Sequence, residues 1–95
     1  MHYAKKKVKN CLFVAVISDE RSLTDTELKE VSSLFGPGYF AVSEGVWGNC
    51  DPACIEAFQK KGWEEGGRAE IVLDYMKEMG ILQSQHRAAK EMGLL

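Results

Sequence analysis

Val8-Lys9-Asn10-Cys11-Leu12-Phe13-Val14-Ala15-Val16-Ile17 is the stretch whose reading decides the fold. It is nearly continuous in apolar and β-branched residues and lacks the alternation of a strand with one wet face, so residues 8–17 read as a strand buried on both sides. Each side of that strand then needs a cover. The run is far shorter than the roughly 18 apolar residues of a membrane span, and Ser18-Asp19-Glu20-Arg21 ends it. No small-residue cleavage site follows it, so it does not read as a signal peptide. On its N-terminal side, Lys5-Lys6-Lys7-Val8-Lys9 reads as a solvated basic lead-in over residues 1–9.

Downstream, Thr24 and Glu27 have the spacing of a capping box, and Leu23 and Leu28 flank it as a hydrophobic staple. The pattern predicts a helix over 25–35, stopped by Gly36-Pro37-Gly38. A second strand follows over 39–47, with Gly45 marking a bulge or a close backbone approach, and it ends at Gly48-Asn49. Asp51-Pro52 opens a short helix over 53–61 that Gly62 closes.

After a polar turn at 64–67, a longer helix runs over 68–79. Ala69, Val72, Leu73, Met76 and Met79 form its stripe, which Ile71 and Tyr75 widen. A last helix over 85–92 takes Ser84 as its cap. Two near-copies of one phrase, Lys77-Glu78-Met79-Gly80-Ile81-Leu82 and Lys90-Glu91-Met92-Gly93-Leu94-Leu95, read as helix stops with glycine in the left-handed position.

This order describes an α+β (or small α/β) domain over 1–95: a β-α-β unit over 8–47, then a helical part over 52–95. Two strands make a weak sheet. A second copy of the chain is therefore expected to complete the sheet or to cover the terminal helices, giving a homodimer, and the apolar Leu94 and Leu95 point the same way.

Composition narrows the function classes. At 95 residues, with 45% hydrophobic and 27% charged, the chain has material for one core. A net charge of −2 provides no general attraction to nucleic acid or to an anionic membrane. Three cysteines without an export signal suggest reduced thiols in a cytoplasm. Cys50 and Cys54 lack both the usual ligand spacing and further ligands, and His2 and His86 lie far away, so neither a metal nor another cofactor is expected.

Were the two strands parallel, their C-terminal loops would share one edge of the sheet, where ligands bind in open α/β folds. Asp19, Arg21, Asn49, Cys50 and Asp51 would then form a small polar site, with Cys50 at a helix start where its thiol pKa could fall. Gly66-Gly67 before Arg68 reads as a sharp turn rather than a phosphate cradle, since Glu64 and Glu65 beside it would repel an anion. The segment from Ile71 onward, with Ser84-Gln85-His86-Arg87-Ala88-Ala89-Lys90-Glu91-Met92-Gly93-Leu94, resembles the first half of a helix-turn-helix unit. The sequence ends where the recognition helix would follow, so base reading is not expected of it.

Trp47 and Trp63, with Tyr39, Phe40 and Phe58, concentrate aromatic mass in the middle third. Trp47, Trp63, Tyr75, Met79, Leu94 and Leu95 are the candidate interaction surface. The expectation is a non-catalytic protein-interaction module, of the kind that phage or mobile elements use to modulate a host complex. A small enzyme or ligand-binding domain at the strand-end loops is the second reading, and a DNA-binding protein the third.

Overall fold

A computed structural model describes residues 1–36 and 38–93. It is an α+β fold in which one mixed five-stranded sheet carries helices on both faces. In chain order the elements are β1 (His2–Val8), β2 (Cys11–Ile17), α1 (Asp25–Leu34), β3 (Phe40–Val42), β4 (Gly45–Asn49), α2 (Pro52–Lys60), β5 (Glu64–Glu65), α3 (Gly67–Glu78) and α4 (Ile81–Glu91). The strands lie in the order β3-β4-β2-β1-β5; β5 runs parallel to β1, and the other neighbours are antiparallel.

β2 is central and closed on both faces, as its composition predicts: Phe13, Val14, Ala15, Val16 and Ile17 are each at most 1% exposed. Full burial of each large side chain among them contributes about 1.5–3 kcal/mol. Phe13, Ala15 and Ile17 pack under α3 and α4, against Ala69, Leu73, Met76 and Leu82. Val14 and Val16 pack under α1 and α2, against Val31, Phe35, Cys54, Ile55 and Phe58.

Three strand expectations are corrected. Residues 8–17 are not one strand: Lys9 and Asn10 form a two-residue turn, with Lys9 in the left-handed region at φ +55°. The basic lead-in is therefore β1 itself, zipped to β2 from His2↔Ile17 to Val8↔Cys11. Apolar β-branched neighbours masked a turn that has neither glycine nor proline. Residues 39–47 split likewise into β3 and β4 around Ser43-Glu44, and Glu64-Glu65, expected as a turn, pairs with His2 and Tyr3. The chain thus supplies five strands from its own length, and no second copy is needed to complete the sheet.

The helices follow their signals closely. Glu27 donates its backbone N–H to Thr24 Oγ1 at 3.2 Å and Thr24 donates its own to Glu27 Oε1 at 3.1 Å, the reciprocal capping box. Asp51 caps α2 through the Cys54 N–H at 3.3 Å, with Pro52 in the first turn. Gly80 and Gly93 both take left-handed φ, at +74° and +75°, so both phrase copies do stop a helix. Ser84 is not a cap: α4 begins at Ile81, directly after Gly80, and the Ser84 hydroxyl donates to the Gly80 carbonyl from inside the first turn. Gly45 is a close approach, since a Cβ there would lie 2.1 Å from the Val16 carbonyl oxygen. The Leu94 and Leu95 reading lies outside the described residues.

Candidate functional site

The polar site expected at the strand-end loops is divided by the topology. Because β4 runs antiparallel to β2, with Phe13 opposite Asn49 and Ile17 opposite Gly45, the loop after β2 and the loop after β4 lie at opposite ends of the sheet. Cys50 donates its backbone N–H to Leu12 O, at the start of β2, whereas Asp19 lies beyond its far end. About 20 Å of strand separates them.

At one end, Asp19 joins His2 and Arg68. Its Oδ2 meets His2 Nδ1, and its Oδ1 accepts the Arg68 backbone N–H at 3.1 Å. The N-cap of α3 is Gly66, which has no side chain, so a carboxylate from a distant loop satisfies the helix N-terminus instead. The His2 contact, with that N–H bond, holds the Asp19 carboxyl below its usual range.

The Gly66-Gly67 pair therefore does not cradle a phosphate; an internal carboxylate fills that place. Both glycines have positive φ, and a Cβ on Gly67 would come within 2.9 Å of the His2 ring, so the pair serves a tight turn against β1. His2 was illegible because residue 8 was assigned to the later strand; the hairpin register through Lys9-Asn10 brings it beside Asp19. Arg21 is engaged elsewhere, in a two-pronged pair with Glu27 at 2.6 and 3.1 Å.

At the other end, burial pushes the Cys50 thiol well above its ordinary pKa, with Cys54 and Asp51 adding to the effect. The dipole of α2 does not outweigh this, and a thiol held protonated is not the nucleophilic form. Cys54 is buried and donates to the Leu34 carbonyl at 3.0 Å. Cys11, 2% exposed, lies 2.9 Å from His86 Nδ1, and burial raises its pKa too. That contact ties α4 to the hairpin. Asn49 Oδ1 is the one buried side-chain oxygen or nitrogen without a partner among the described residues.

A different group of residues converges. Phe40 and Trp47 are cross-strand partners on β3 and β4, stacked with centroids 4.9 Å apart, on the sheet face that α3 and α4 cover. Val42 shares that face by strand alternation. The helices stop short of it: Phe40 is 51% exposed and Val42 47%. On α3, Ile71, Tyr75 and Met79 recur every four residues and are 69%, 60% and 62% exposed.

Both groups lie on the α3 side of the sheet. Arg68 lies on the same flank of α3, seven residues before Tyr75, and its guanidinium pairs with Glu44, in the β3–β4 turn, at 2.9 Å. From that fixed point α3 and β4 run in the same direction. Tyr75 lies about 10 Å along the helix and Trp47 about 10 Å along the strand, so the two are level.

Of the residues expected at an interaction surface, Trp47, Tyr75 and Met79 are thus on one side of the molecule. Trp63 is on the other, stacked on Phe58 at 5.4 Å with Lys61 over its ring, and Leu94 and Leu95 lie outside the described residues. Phe40, Val42 and Ile71 were missed as surface residues. Strand alternation could have paired Phe40 with Val42, but only the shortness of the helical cover leaves them open. Among the described residues no group of three or more His, Cys, Asp or Glu side chains could hold a metal, and no helix is long and apolar enough to cross a membrane. No protein-family model, no curated protein and no solved structure matches this chain.

Proposed function

We propose that this protein is a non-catalytic interaction module whose contact face is the apolar surface of Phe40, Val42, Trp47, Ile71, Tyr75 and Met79, and that the occupant of this face is a second copy of the chain. The observation that carries the reading is the exposure of aromatic and long aliphatic side chains at matching levels of α3 and the β3–β4 hairpin. At roughly 100 Å² per side chain they offer on the order of 600 Å² per protomer, approaching the ~800 Å² per partner of a standard interface.

Charge favours a self-contact at this face over one elsewhere. A two-fold interface presents the same patch of both copies to each other, and like residues meet at its axis. The β1 edge carries Lys5 and Lys7, and β5 consists of Glu64 and Glu65, so a self-pairing centred on either segment would set its charge against itself. The apolar face has a single ion pair at its rim, Arg68 with Glu44, already neutralised.

Sedimentation equilibrium tests the proposal. The native chain is expected to show the dimer mass at about 50 μM, and Phe40→Glu and Tyr75→Glu to shift it to the monomer while keeping the thermal midpoint of the native chain measured at dilutions where it too is monomeric. A monomer throughout that range, or a dimer indifferent to both substitutions, would overturn it.

A further inference from the structure

The opposite side of the sheet has a second open surface of different chemistry. β5 pairs only with His2 and Tyr3, so the rest of β1 has no outer neighbour among the described residues. The direction of its backbone groups follows from two bonds. Val8 and Cys11 flank the two-residue turn and face each other, whereas the Tyr3 carbonyl points outward to accept the Gly66 N–H at 2.9 Å. Alternation then turns the N–H and C=O of Lys5 and Lys7 outward as well, with no strand to receive them.

The side chains of the same two lysines lie on the α2 face of the sheet. There they rim a groove of about 510 Å³ walled by Leu12, Pro52 and Ile55. Glu56 stands at its border, and among the described residues it forms no ion pair with either lysine. Lys6 is on the other face and is already paired with Asp74 at 2.5 Å. One strip of β1 therefore combines unpaired main-chain groups, two ammonium groups at strand spacing and an apolar hollow.

We propose that this edge binds an extended acidic peptide segment of a partner protein, which adds to the sheet as a strand beside β1 where β5 leaves off. Main-chain bonds to Lys5 and Lys7 hold it. Carboxylates at alternate positions meet the two ammonium groups, and an aliphatic side chain on the same face seats over Leu12, Pro52 and Ile55. Lysines on an open edge repel a second copy of the same edge, so the charge that guards against self-pairing also selects an acidic strand. The proposal does not rest on dimerisation through the α3 side, which lies across the sheet.

The probe is a blocked hexapeptide, Val-Glu-Val-Glu-Val-Leu, titrated into the full chain and followed by amide chemical shifts. Two controls accompany it: the same peptide with glutamine for glutamate, and an isomer with the two glutamates adjacent, so that they point to opposite faces. Saturable shifts at Lys5, Lys7 and Leu12 are expected, with affinity at least tenfold lower for either control. Lys5→Glu with Lys7→Glu should abolish binding, while Lys9→Glu, an equal change per residue in the turn, should change it less than twofold.

Lys5→Pro removes an outward N–H without touching the β1–β2 ladder, and it should weaken binding more than Lys5→Gln does at an unchanged thermal midpoint. If that variant is destabilised, the comparison of the peptide with its adjacent-glutamate isomer on the native chain decides. Equal binding of the two isomers would overturn strand addition. So would a single-stranded oligonucleotide that occupies the same lysines while the peptide does not.

Discussion

The two faces of the sheet use the same kinds of side chain to different ends. Under α1 and α2, Tyr3, Phe35, Phe58 and Trp63 form a linked aromatic cluster with centroids 5.4–5.9 Å apart, and Phe58 is fully buried. On the α3 and α4 side, Trp47 packs against the margin of the core, and Phe40, stacked on it, is half exposed. The difference comes from helix placement. α2 connects β4 to β5 across the other face, whereas α3 packs on β1 and β2 and leaves Phe40 and Val42 of β3 exposed on its side. An aromatic residue is core or contact surface according to which helix reaches it.

The comparison is sharpened most by truncating one aromatic on each face. Phe58→Ala should destabilise the fold by about 3–5 kcal/mol through lost burial and the cavity left behind, whereas Phe40→Ala should cost less than about 1 kcal/mol and act instead on self-association. Chemical denaturation of both variants, read beside their sedimentation behaviour, separates the two roles. Equal destabilisation would mean that Phe40 is core and would break the comparison.

A smaller effect belongs to the closed face. Thr24→Ala removes one half of the capping box of α1 and should cost about 1 kcal/mol, seen as a lower urea midpoint with an unchanged slope. At the hairpin, Lys9→Gly relieves a left-handed backbone at a residue with a side chain and should raise stability by up to about 1 kcal/mol. Since Lys9 touches neither apolar face, the dimer equilibrium should not move with it. A shift would connect the hairpin to the interface and blur the contrast.

The smallest effect is a dependence on pH. The Arg21 side chain, and after it the Thr24 backbone N–H, hold the Glu27 carboxyl at about 2, below its ordinary value of 4.5. Its folded pKa is depressed, so its contribution to α1 is complete above 4.5 and is lost as pH falls from there through 2. Glu27→Gln should flatten the acid limb of the stability curve within that window and leave neutral-pH association unchanged. Thermal midpoints measured from pH 2 to pH 6 check this.

Much of the fold was legible locally, wherever a signal sits in adjacent residues. Thr24 with Glu27, Asp51 with Pro52, and the two glycines Gly80 and Gly93 specify helix ends by hydrogen bonds reaching no further than one turn, and all of these formed. The doubly buried run read over 8–17 called for covers on both faces, and its Cys11–Ile17 part has both. The hairpin at Lys9-Asn10 was not legible because its turn uses no glycine or proline, and with it went the strand identity of the lysine run and the pairing of His2 with Asp19. The strand-end site was assembled on a conditional parallel pairing, and strand direction is not written in any local pattern.

What the sequence by itself determined are the α+β class, the Thr24 and Asp51 caps, the glycine stops, and a doubly buried strand ending at Ile17, because propensity, capping and hydrophobic periodicity act within a few residues. Only the tertiary structure decided that β4 runs antiparallel to β2, that Asp19 and Cys50 lie at opposite ends, and that Phe40, Trp47 and Tyr75 share the α3 side of the sheet while Trp63 is drawn into the other cluster. Those outcomes depend on strand register and on how far each helix reaches across the sheet, which are set by contacts between residues distant in the chain.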